Sequence, residues 1–207
     1  EDKGTDNQIE VNANDRYTQD RWKVPHSESD NWKFERIYRI NFFLSEALPK
    51  FGEDMSGSQN TISGSVATIK HYIGEMYFLR AYEYFKKLQL FGDFPIINQP
   101  LSDLDKAYAY MSDVDMATTR INKDAAMLVK SRVALFEATW LQNFKGTAFV
   151  PGGEGWPGAS LHNNYQYPSG NIDNEVKYFL EQAVEASKLV ADKYKGNLTE
   201  NTGVLQQ

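Results

Sequence analysis

The chain has 207 residues, 41% hydrophobic and 14% aromatic, enough apolar material for the core of one large domain or two small ones. Lys and Arg number 22 against 28 Asp and Glu, a net charge of -6 with no basic cluster able to neutralise a phosphate backbone, which argues against a nucleic-acid partner. There is no cysteine, so disulfides, thiolate zinc sites and cysteine nucleophiles are excluded.

Residues 1–29 are so polar that they read as an extended leader or linker, without the charged-then-apolar order of a signal peptide. No apolar run in the sequence approaches the length of a membrane-spanning helix. Helical periodicity begins near Asp30, a suitable N-cap, and sets Phe34, Ile37, Asn41, Leu44 and Leu48 on one stripe, with Pro49 and Gly52 expected to end the helix. Asn41 interrupts that stripe. A buried amide needs hydrogen-bond partners, so Asn41 is expected to tie this helix to a neighbour.

The small, polar run from Asp54 to Ser65 reads as a loop. A long helix follows, with Ile69, Tyr72, Ile73, Met76, Tyr77 and Arg80 on one stripe and Ala81, Tyr84, Phe85 and Leu88 continuing around the cylinder. An apolar arc that wide requires packing on two sides. Arg80 lies within it and is expected to be a buried guanidinium paired with a carboxylate or with helix-end carbonyls. Gly92 should stop this helix and Phe94-Pro95 should force an extended, strand-like exit through Ile97.

Leu104, Ala107, Tyr108 and Met111 mark a third helix, and Ala126, Val129, Val133, Phe136 and Trp140 a fourth with Asn122 as its N-cap. Between Lys145 and Gly170 lie six of the 14 glycines and three of the seven prolines, the composition of a long loop. The last helix runs from about Asp173 to Tyr194, with Val176, Phe179, Leu180, Ala183, Val184, Ser187, Val190 and Ala191 on its buried side and Gly196-Asn197 closing it. The architecture predicted is all-α, built of irregular tetratricopeptide-like helical pairs with long loops. Ala81 and Phe85 match the A-x3-F element of such pairs, although the 34-residue period does not recur cleanly.

The segment GEMYFLRAYEYFKKLQLFGDFPII, Gly74 to Ile97, resembles the SusD/RagB family of nutrient-binding outer-membrane lipoproteins, whose members carry an E-x-x-FLRA-x-x-YF run and then a YGD-x-P-like exit. Downstream, INKDAAMLVKSRVALFEATW and IDNEVKYFLEQAVEASKLVADKY are similar to the family's next two recognisable helices, in the same order. The resemblance covers residues 30–207 and implies an all-helical, outward-facing lipoprotein of the cell outer membrane. Its role would be to bind a glycan or peptide nutrient and pass it to a TonB-dependent transporter of the SusC/RagA kind, without an enzymatic step or a cofactor. Family members are longer, with another helical piece near the position of residue 102 and a lipidated amino-terminal cysteine. The sequence is therefore expected to be a fragment of a longer protein, with a segment missing there and without its lipid anchor.

No catalytic constellation competes with binding. His26, His71 and His162 fall in no H-x3-H or H-E-x-x-H spacing, and Asp113 and Asp115 lack the glycine and terminal Glu of a calcium loop, so no metal site is expected. Glu46 with Glu53, or Asp103 with Asp105, are read as surface carboxylates rather than a glycosidase pair. Gly152, Gly153 and Gly155 serve turns rather than a phosphate loop, since no strand precedes them.

The long loop carries Phe144, Phe149, Trp156, Tyr165 and Tyr167. Sugars stack their C–H faces on aromatic rings, and amides bind their hydroxyls, so Trp156, Asn163, Asn164, Tyr165 and Tyr167 are the candidate ligand-binding residues. The competing reading is that these rings pin the loop onto the helices. A second functional class, a helical-repeat scaffold that binds a peptide or protein, also fits the pattern.

Overall fold

A computed structural model describes residues 32–52, 54–91, 100–112 and 120–196. The chain divides into two units, Glu1–Phe34 and Glu35–Gln207. Among its described residues the second unit holds five α-helices: α1 (Glu35–Phe51), α2 (Val66–Phe91), α3 (Pro100–Tyr110), α4 (Lys123–Asn143) and α5 (Ile172–Tyr194). Among the described residues there is no strand, so the fold is all-α. Asp30, the Gly92 stop, the extended exit through Ile97, the pair Asp113 and Asp115, and Asn197 lie outside the described residues.

Each helix packs on its neighbour in sequence, α1 on α2, α2 on α3, α3 on α4 and α4 on α5. The core runs along this row through Leu44, Phe51, Ile73, Tyr77, Leu104 and Val133. Gly74 sets the spacing of α2 and α3: a Cβ there would stand 2.8 Å from Met111 Cγ and 3.1 Å from the Ala107 carbonyl oxygen. Capping fixes the later starts. The Asn122 and Asn171 side chains accept from the Ala125 and Asn174 N–H, both at 2.9 Å, and Pro100 opens α3 where an N–H would have had no helical partner.

Asn41, Arg80 and Asp103 join three helices. The Arg80 guanidinium donates from Nε and Nη2 to the two Asp103 carboxylate oxygens at 2.7 Å each, and from Nη1 to Asn41 Oδ1 at 2.8 Å. Arg80 and Asp103 are both buried. Removing one partner of a pair this enclosed costs about 3–5 kcal/mol, because the other charge stays behind. Asn41 and Arg80 thus act as their positions in the apolar stripes predict. Asp103, expected at the surface, is 1% exposed, because its place on α3 falls opposite Arg80.

Four further expectations are corrected. α1 does not end at Pro49 but runs through it to Phe51, whose ring is fully buried, and stops before Gly52 as the sequence predicts. That burial is worth about 1.5–3 kcal/mol, comparable to the roughly 3 kcal/mol that proline costs inside a helix. Phe34 lies ahead of α1 rather than on its stripe, and Tyr72 is exposed on α2, its ring lying 4.6 Å from the Arg120 guanidinium. On α5 the buried line is Ala183, Ala186 and Val190, while Leu180, Val184 and Ala191 face outward.

Candidate functional site

The loop between α4 and α5 is anchored by aromatic residues at helical spacing. Phe136, Trp140 and Phe144 follow one another at intervals of four; Trp140 stacks on Phe136 at 6.0 Å and Phe144 tilts against Trp140 at 4.3 Å. The chain then folds back, so that Phe149 meets Phe144 edge-on at 5.2 Å and its carbonyl accepts from Trp140 Nε1 at 3.1 Å. Val150, next in sequence, is buried. This turn tolerates only glycine at residue 153, where a Cβ would stand 1.9 Å from the Thr147 carbonyl oxygen. Phe144 and Phe149 therefore pin the loop, as the competing sequence reading has it.

The second arm of the loop is tied to the first. Tyr167 Oη donates to the Pro151 carbonyl at 2.8 Å, the Ser169 N–H donates to Glu175 Oε2 at 2.9 Å, and Lys145 pairs with Asp173 at 2.6 Å across the loop's mouth. Between these ties the tip carries its own aromatic group. Trp156 packs over Gly158, stacks on His162 at 6.3 Å and meets Tyr165 edge-on at 5.6 Å; Tyr165 meets Tyr167 at 5.2 Å and 88°. Trp156 and Tyr167 are half-buried, and Tyr165 is 41% exposed. Asn163 and Asn164, both exposed, form the centre of a turn closed by the Tyr165 N–H on the His162 carbonyl at 3.0 Å. All five sequence-predicted residues thus fall on one lobe, and three of them form a continuous ring array.

Two carboxylates complete the electrostatics of this lobe. Glu175, on the first turn of α5, is buried, and Glu137, on α4, is half-buried. Burial raises the Glu137 pKa above the usual carboxylate range, and the charge of Glu175 raises it further. The same two carboxylates act on the rings: burial first, then Glu175 and Glu137, raise the Tyr165 pKa, and Tyr167 is pushed up to about 12 by burial, Tyr165 and both glutamates. Both phenols stay protonated and remain hydrogen-bond donors at neutral pH. Sequence reasoning missed Glu137, Glu175 and the stacking role of His162, because the two glutamates come from different helices and no spacing links them.

Comparison with protein-family models, curated proteins and solved structures finds no match. The chemistry of the lobe is therefore read from its own residues. Exposed ring faces accept apolar C–H surfaces, the asparagine amides donate and accept, and the carboxylates accept from hydroxyls. Among the described residues no group of three His, Asp or Glu side chains is arranged to hold a metal ion, and no helix is long and apolar enough to cross a membrane.

Proposed function

We propose that this chain is part of a SusD-like binding protein of the cell surface, which takes a glycan nutrient on the loop between α4 and α5 and releases it unchanged to a TonB-dependent outer-membrane transporter of the SusC/RagA kind. Glycan binding rests on one observation: Trp156, Tyr165 and Tyr167 form a connected ring array beside the exposed amides of Asn163 and Asn164. The scaffold is a row of tetratricopeptide-like helical pairs, and the protein faces outward on a lipid anchor. The ordered run of family-like segments through α2, α4 and α5 supports the address and the partner.

Calorimetric titration with a panel of neutral oligosaccharides tests the binding. Saturable binding is expected for at least one, weakened roughly tenfold or more in Trp156→Ala by loss of the stacking ring. Unchanged affinity in the variant would remove the loop from the site, and the absence of saturable binding to any glycan would overturn the reading. No reducing ends should be released from a polysaccharide at high protein concentration, because the protein binds without cutting. A second reading, a scaffold for a peptide or protein partner, is favoured by Leu128 and Leu135 on α4 and Leu180 and Val184 on α5, which are 38–61% exposed.

A further inference from the structure

His71, on α2, is 0% exposed and uses both ring nitrogens. Nδ1 accepts from the Ser112 N–H at 3.1 Å, and Nε2 lies 2.9 Å from the Ile121 carbonyl oxygen. A nitrogen that accepts from a backbone N–H carries no proton of its own. The ring's proton is therefore on Nε2, donated to Ile121, and the imidazole is neutral with a fixed tautomer. This one ring holds the second residue past α3 and the residue before the Asn122 cap of α4, and residues 113–119 separate the two gripped ends in sequence.

The charged groups at this junction come from two elements. From α2, Glu75 presents Oε1 at 3.6 Å from His71 Nε2; from the approach to α4, Arg120 donates to Glu75 through Nε at 2.8 Å and through Nη2. The end of α3 contributes the uncharged Met111 and Ser112. The first two residues of α4 are turned elsewhere, Lys123 over the Tyr108 ring at 5.0 Å and Asp124 to Lys193 and Tyr194.

We propose that His71 is a proton-operated clasp: neutral, it fastens the end of α3 and the entry to α4 onto α2, and a second proton breaks its hold on the Ser112 amide. That proton can go only to Nδ1, where it meets the Ser112 N–H head-on, so an attraction becomes two opposed donors. The Nε2 bond to Ile121 survives, and Glu75, 3.6 Å from Nε2, is then shared between the new imidazolium and Arg120. The release is one-sided: the Ser112 end opens, while the Arg120–Ile121 end stays fixed.

Nuclear magnetic resonance on the 207-residue protein tests this, by following the His71 ring nitrogens and the Ser112 amide from neutral pH down to the onset of acid unfolding. We expect an unprotonated Nδ1 at neutral pH. Its protonation should coincide with a roughly tenfold rise in Ser112 amide exchange, corrected for the intrinsic pH dependence, while amides in the middle of α2 keep their protection. His71→Gln offers a donor and an acceptor but takes no proton, and should lose the step. A ring that stays neutral until the whole protein unfolds, or that titrates without change at Ser112, overturns the proposal. If the variant does not fold, the coincidence in the unaltered protein decides alone.

Discussion

Glu137, half-buried on α4, has its pKa raised, first by burial and then by the charge of Glu175. A carboxylate whose folded pKa lies above its unfolded value binds more protons in the native state. The stability it contributes is full below the unfolded pKa and is lost as pH rises through the folded one. Glu137→Gln cannot titrate. In urea unfolding of both proteins, the stability difference should move in favour of the variant as pH rises above the ordinary glutamate pKa of about 4.3. A difference that does not change with pH would show that Glu137 ionises without penalty. At the same scale, Asn41 and Arg80 were legible in the sequence because each is a polar residue inside an apolar stripe. Asp103 was not, since its partner stands 23 positions away on another helix and only the packing of α2 on α3 brings them together.

The helices differ in how fully their sequence patterns mark the buried side. α5 has an apolar arc wider than the surface it buries, and the large aliphatic residues Leu180 and Val184 draw the eye to the wrong part of it. Small residues decide the contact: Ala183 and Ala186 let α5 approach α4 closely enough for Ser131 Oγ to donate to the Ala183 carbonyl at 2.9 Å. Urea unfolding of two variants distinguishes the faces. Val184→Gln, at a 61% exposed position, should change stability by no more than about 0.5 kcal/mol, whereas Ala183→Gln, at a 6% exposed one, should cost about 1–3 kcal/mol through overpacking. The reverse order would return Val184 to the core. The loop before α5 shows a similar division. Its rings were visible in the sequence as an aromatic cluster, but which of them pin and which stay accessible depends on Phe149 folding back onto Trp140. The turn through Gly146, at φ 81°, starts that return, and Gly153 seats against the Thr147 carbonyl beyond it.

Across the whole unit, helices meet mainly their sequence neighbours, so stability is distributed unevenly along the row. α2 touches α1 on one side and α3 on another, and ten of its residues are buried; α5 rests on α4 and buries four. Opening α2 breaks the Arg80–Asp103 pair, the His71 bonds and most of the aromatic core together, which amounts to unfolding the unit. Opening α5 exposes Ala183, Ala186 and Val190 and breaks the exposed Lys145–Asp173 pair and the Lys193 and Tyr194 bonds to Asp124, leaving α1–α3 intact. Native-state hydrogen exchange should therefore find the slowest amides in the middle of α2, exchanging only through global unfolding. Those of α5 should exchange through a smaller, less denaturant-sensitive opening. The aromatic lobe is fastened to α5 through Ser169 and Glu175, so that opening also loosens the candidate site. A glycan held by the lobe should slow α5 exchange and, because it binds only the folded unit, should slow the globally exchanging α2 amides by the same factor. Equal protection of α2 and α5 would mean that the row unfolds as one cooperative block.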